Sequence, residues 1–255
     1  MQNIFELDGV TLSFRVQSGM RTILRDVSFS VSEGEILTVV GASGSGKTSL
    51  LRVLAGLTPQ TAGTVNFRGT PIDGPQDGVA IVFQDYTNAL LQWRTVANNV
   101  ALGLARRLKR EERIARIRHT LTLVGLDRNA DDYPWQLSGG MQQRVQIARA
   151  LALNPSVLLM DEPFAALDAM TKASLQDELL RVRGETGASI VFITHDIEEA
   201  VYLGNRVAML RGSPASITRI FNIELPFPRN QVSTREMPEF LHLRREIHNA
   251  IGGDA

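Results

Sequence analysis

At 255 residues, with 44% hydrophobic residues, 21% charged residues and 10 prolines, the chain has the composition of a folded protein rather than a disordered one, sized for one large domain with sub-lobes or two small domains. Lysine plus arginine and aspartate plus glutamate number 27 each, so no net positive field draws it to nucleic acid or anionic lipid. The absence of cysteine excludes disulfides and thiol chemistry and fits a reducing compartment.

The first residues, Met1-Gln2-Asn3-Ile4-Phe5-Glu6, have neither the basic flank nor the apolar run of a signal peptide. No stretch approaches the roughly 18 to 20 apolar residues of a spanning helix, so a membrane role is expected only through a partner. Residues 4–40 read as successive strands broken at Asp8-Gly9, Ser18-Gly19 and Glu33-Gly34. The last run, Glu35 to Val40, is apolar without alternation and predicts a strand covered on both faces. Lys47 to Gly56 keeps Leu50, Leu51 and Leu54 on one side of a helix.

Between that strand and that helix lies Gly41-Ala42-Ser43-Gly44-Ser45-Gly46-Lys47-Thr48, which fits G-x-x-x-x-G-K-[ST] in the strand–loop–helix context the motif requires. Its glycines let the backbone curl so that successive N–H groups face phosphate oxygens, and the helix N-terminus adds partial positive charge. The expected contacts are Gly41, Ser43, Gly44, Gly46, Lys47, Thr48 and Ser49, with Lys47 on the β and γ phosphates and the Thr48 hydroxyl on Mg²⁺.

Val79 to Phe83 predicts a further strand ending at Gln84. Beyond it Leu104, Leu108, Ile114, Ile117, Leu121 and Val124 recur at helical spacing among Arg106, Arg107 and Lys109 to Arg113, a helical insert with a solvated charged face. Val157 to Met160 and Ser189 to Thr194 predict two more buried strands, each after a helix, so the α/β alternation argues a parallel sheet. The first of these ends in Asp161-Glu162: Asp161 is placed to hold Mg²⁺ through water, and Glu162, pointing the other way, to polarise an attacking water. After Arg211 the chain reads as irregular, with Pro214, Pro226, Pro228 and Pro238, before a short helix from Glu239 to Ile251.

These two motifs describe any P-loop NTPase. Leu137-Ser138-Gly139-Gly140-Met141-Gln142-Gln143-Arg144 narrows the field, because it resembles the signature motif of ABC ATPases. The resemblance extends over residues 4–212. It implies a P-loop NTPase (RecA-like) α/β parallel-sheet core with an N-terminal antiparallel β lobe and a helical signature-motif insert. The implied boundaries are an ATPase domain over 1–212, with the insert at about 86–150, and a C-terminal tail over 213–255. Physically the signature is a second anion cradle of a serine, two glycines and a helix start. The resemblance implies that Ser138 and Gly140 complete the site of a second copy in a head-to-tail dimer, with ATP and Mg²⁺ as ligands.

Other residues take roles from the same resemblance. Gln84 is similar to the glutamine that senses the γ-phosphate and Mg²⁺, Asp168 to an aspartate carried across the dimer, and His195 to the switch histidine on the γ-phosphate. Phe14 stands where the family stacks adenine, with core packing as the other reading. Leu90 to Val96, Phe164 to Thr171 and Thr194 to Leu203 resemble the importer subunits for nitrate, alkanesulfonate, taurine and similar solutes. Gln92 stands where that group commonly has proline. Trp93 is either a contact for the permease's coupling helix or a core residue. The implied partners are integral membrane permease subunits and, indirectly, an extracytoplasmic solute-binding protein, with no nucleic acid. The implied place is the cytoplasmic face of the inner membrane. A soluble, non-transport ABC ATPase is the alternative, against which stand the single cassette and the neutral charge.

Overall fold

The computed structural model of the chain describes residues 2–17, 19–84, 89–104 and 107–252, which form two compact units, Met1–Asp77 with Ala188–Ala255 and Gly78–Gly187. Ser18 and Arg106 lie outside the described residues.

The first unit opens with β1 (Asn3–Val16) and β2 (Gly19–Ser32), an antiparallel pair in which Phe14 stands opposite Arg21 and Val16 opposite Gly19. The expected break at Asp8-Gly9 is a bulge inside one continuous strand. The register with β2 shifts between Leu7 and Val10, and Gly9 takes φ +58°, a conformation glycine adopts without steric cost. β3 (Ile36–Val40) is buried throughout, as its unbroken apolar run predicts. α1 (Lys47–Leu54) ends two residues short of Gly56, whose φ of +66° and close approach to Gly74 leave no room for a Cβ. β4 (Ala62–Phe67) pairs antiparallel with β1 and with the short β5 (Thr70–Pro71), and Phe5 packs on Phe67 with ring centroids 5.2 Å apart.

The second unit starts with β6 (Val79–Val82), continues through α2 (Val96–Val100), α3 (Arg110–Leu123) and α4 (Gly139–Ala152), and returns as β7 (Val157–Asp161), parallel to β6. α3 holds Ile114, Ile117 and Leu121, whereas Leu104 is buried in a turn ahead of it, so the apolar series spans more than one element. α5 (Ala169–Thr186) closes the unit at Gly187, which takes φ +67° as its C-cap.

Back in the first unit, β8 (Ser189–Thr194) lies parallel to β3, α6 (Ile197–Leu203) follows, and β9 (Arg206–Gly212) lies parallel to β3 on its other side. The chain after Arg211 is not irregular at once. β10 (Ala215–Asn222) folds back antiparallel on β9, and α7 (Pro238–Gly252) ends the described chain. The strands of this unit run in the order β5-β4-β1-β2-β10-β9-β3-β8, antiparallel at the β1 end and parallel around β3. The fold is thus α/β with mixed pairing. No described helix is long and apolar enough to cross a membrane.

Candidate functional site

In the first unit, β3 delivers the chain into the glycine loop at its carboxyl end. A Cβ on Gly41 would lie 2.5 Å from the Leu210 carbonyl oxygen and 2.8 Å from Ser45 Oγ, so only glycine fits where the loop leaves the sheet. Gly44 (φ +77°) faces open space, and Gly46 (φ +92°) is the N-cap of α1, where an added Cβ would lie 2.9 Å from Ile23 Cγ2 and 3.2 Å from Leu24 Cδ2. Lys47 is only 5% exposed and donates from Nζ to the carbonyls of Gly41 (2.9 Å) and Ala42 (3.0 Å), which holds the ammonium against the loop it would share with phosphates. Ser43 and Thr48 are exposed at the rim and Ser49 is half-buried. These features suit a polyphosphate: a charged amine at the base, backbone free of side chains at Gly44, and a hydroxyl at the mouth.

The same unit holds His195 and Phe14. His195 is exposed between the end of β8 and Asp196, the N-cap of α6, whose Oδ1 accepts from the amides of Glu198 (2.9 Å) and Glu199 (3.2 Å). Thr194 Oγ1 accepts from the Asp196 amide (3.0 Å) and bonds the buried Glu199 carboxylate, so strand end and helix start are tied on both sides of His195. Phe14 is 43% exposed on β1, which excludes plain core packing.

In the second unit, β7 buries Asp161 at its end and Glu162 follows with φ +43°. A left-handed backbone at a non-glycine residue directly after the strand is strain of the kind concentrated at functional positions. Among the described residues no cluster of three or more His, Asp or Glu forms a metal cage. Gln84 is exposed two residues beyond β6.

The signature segment starts α4. Ser138 is its N-cap, with Oγ accepting from the Met141 amide at 3.4 Å, and Gly140 lies in the first turn. Ser138, Gly140, Met141, Arg144, Thr171 and Ser174 border a hollow of about 460 Å³ in this unit. Arg144 shapes it by donating to the Val124 carbonyl (3.0 Å) and Ser174 Oγ (3.1 Å). Asp168 caps α5: its Oδ1 accepts from the amides of Met170 (3.1 Å) and Thr171 (3.0 Å). The Thr171 hydroxyl and these amides hold its carboxyl below the usual carboxylate range.

Trp93 is 74% exposed, which excludes the core reading. The residue that shapes its loop was invisible in the sequence: Asn99, wholly buried in α2, accepts from the Leu91 amide (2.8 Å) and donates to the carbonyls of Leu91, Arg94 and Thr95 (3.1 Å each). A cavity of about 720 Å³ bordered by Arg94, Asn98, Arg113, Ile114, Ile117 and Arg118 lies in the same unit. Arg229, Arg235 and Arg244 of the C-terminal segment, which hold α6, also carried no motif signal: Arg229 and Arg235 stand ahead of the predicted helix and Arg244 is one polar residue within it, and nothing in that pattern names a distant partner.

Comparison with known proteins identifies relatives of the whole fold. The family model described as ABC transporter matches residues 24–165. The nitrate import ATP-binding protein NrtC of Synechococcus elongatus is 41% identical over 255 residues, covering 98% of this chain and 37% of NrtC, so the chain spans little more than a third of that relative's length. The nitrate transport protein NasD of Klebsiella oxytoca is 41% identical over 252 residues, 97% of this chain and 95% of NasD. Among solved structures, a dimeric post-hydrolysis state of the ATP-binding cassette MJ0796 bound to ADP and Pi superposes with a TM-score of 0.76 at 32% identity, covering 86% of this chain and 98% of that one.

Proposed function

Since the chain belongs to the ABC transporter family of ATP-binding proteins, we propose that it is the ATP-hydrolysing subunit of an importer, working as a head-to-tail dimer on the cytoplasmic face of a membrane permease. Its substrate on this reading is MgATP. Lys47 and the loop from Gly41 to Ser49 would bind the phosphates, Thr48, Asp161 and Gln84 would hold the metal ion, and Phe14 would stack the adenine. Glu162 takes the role of general base toward the attacking water, and His195 and Gln84 hold the γ-phosphate in line. The solute is nitrate, a sulfonate, taurine or a similar small molecule delivered by an extracytoplasmic binding protein; the names of NrtC and NasD favour nitrate.

The observation that supports this reading most directly is that one chain carries two anion cradles, the glycine loop at α1 and the Ser138-capped start of α4. Two cradles per chain are what a dimer needs if each copy completes the other's site. The test is complementation. Lys47→Ala destroys one cradle and Ser138→Arg the other, and each variant alone is expected to be inactive. Mixed dimers retain one intact pairing, so mixing should restore ATP hydrolysis. Absence of any recovery, or full activity of Ser138→Arg by itself, would sink the head-to-tail arrangement.

A further inference from the structure

The C-terminal segment grips α6 at both ends. Arg229, 8% exposed, donates from Nη1 to the carbonyls of Val201 (3.3 Å), Tyr202 (2.6 Å) and Gly204 (2.9 Å), and from Nη2 to Leu225 (3.4 Å). A guanidinium on the last carbonyls of a helix satisfies acceptors that have no partner within the helix and complements its negative end. At the other end, the Glu198 carboxylate takes Arg235 on Oε2 (2.9 Å) and Arg244 on Oε1 (2.8 Å). Arg235 also lies over the rings of Tyr202 in α6 (5.0 Å) and Phe240 in α7 (5.9 Å). Exposed ion pairs carry little singly. Here three arginines of one segment act on a helix of seven residues, one of them buried.

That helix begins two residues after His195, and the ties among Thr194, Asp196 and Glu199 make strand end, histidine and helix start one joint. A tilt of α6 therefore moves His195. α7 also reaches it in space: His195, Glu198, Arg244 and His248 border one cleft of about 600 Å³. We propose that the segment from Ile223 to Gly252 is a positioning element for His195, in which Arg235 and Arg244 on Glu198, with Arg229 at the far end, set the pose of α6 and so the rate of hydrolysis, without touching nucleotide. The inference rests on the reading of His195 as the γ-phosphate contact.

The test uses the full chain and temperatures at which thermal melts show every variant folded. Arg235→Ala/Arg244→Ala is expected to lower kcat about tenfold and leave KM for ATP within about twofold, since misplacement of a group used in the transition state spares ground-state binding. Arg235 Nη1 and Arg244 Nη1 each reach one Glu198 oxygen, contacts an ammonium can reproduce, so Arg235→Lys/Arg244→Lys should recover most of the rate. Glu198→Gln should reproduce the loss and add nothing to the double alanine variant. An unchanged kcat, a rise in KM with kcat held, or losses that multiply overturns the proposal. His195→Ala is measured alongside: normal turnover there removes the reading on which the inference depends, whereas an inactive His195→Ala beside normal arginine variants removes the inference alone.

Discussion

Gly140 in α4 and Thr171 in α5 touch so closely that a Cβ added to Gly140 would lie 2.4 Å from Thr171 Cγ2. The glycine is therefore required by helix packing, independently of any phosphate it faces. Gly140→Ala is expected to destabilise the second unit by about 1–3 kcal/mol through overpacking. Thr171→Ser removes the offending methyl and keeps the hydroxyl, so the double variant should regain most of that loss in urea denaturation. If it also regains ATP turnover, the glycine's role is steric; if stability returns without turnover, the position contacts nucleotide as well.

Glu162 carries its carboxylate on a costly backbone, φ +43°. Glu162→Gln keeps the conformation and the size but cannot take a proton, and is expected to reduce turnover by about 10²–10⁴-fold with ATP binding intact. Its melting temperature should match the parent. Glu162→Gly, which relieves the left-handed strain, should lose the same turnover yet be no less stable. A glutamine variant that hydrolyses ATP normally would remove Glu162 from the chemistry.

Asn99 turns both its Nδ2 donors and its Oδ1 acceptor to the loop that presents Trp93. Asn99→Ala removes the side-chain bonds of the Leu91 amide and the Arg94 carbonyl, while the Leu91 and Thr95 carbonyls keep the backbone amides of Arg94 and Asn99, and should cost on the order of 1–3 kcal/mol. Asn99→Asp, nearly the same size, should be at least as damaging, because a carboxylate cannot donate to those carbonyls. Fluorescence anisotropy of Trp93, measured in a variant lacking Trp135, reports the loop directly and should fall in both variants.

Asp168 supplies a pH dependence. Its carboxyl is held below the ordinary range by the Thr171 hydroxyl and the amides of Thr171 and Met170, so the ionised cap is favoured in the folded state. The stabilisation is present above the unfolded aspartate value, about 3.9, and is lost as pH falls through the lower folded value. Asp168→Asn keeps an acceptor at the cap and should lack this acid-limb loss. A carboxyl NMR titration placing Asp168 at or above the ordinary value would contradict the capping geometry.

Much of this molecule could be read from its letters because the features concerned are local. The unbroken apolar runs of β3, β7 and β8 and the glycine spacing from Gly41 to Gly46 are contiguous, and their physics acts over a few bonds. The bulge at Gly9 looked like a turn because a φ-positive glycine serves both, and only the partner strand decides which. β10 went unrecognised because its strand character comes from pairing with β9, while the prolines around it suggested loop.

Sequence alone determined that this chain has a glycine loop opening one helix, a Ser-Gly-Gly start to another and an acidic strand end, since each motif is a run of neighbouring residues whose backbone chemistry is fixed by their order. Tertiary structure alone decided that Phe14 and Trp93 are exposed, that Asn99 braces a loop, that Gly140 yields to Thr171, and that arginines more than thirty residues downstream hold the helix after His195. Those facts depend on which distant side chains meet, and burial and long-range hydrogen bonds are properties of the packed chain, with no counterpart in residue order.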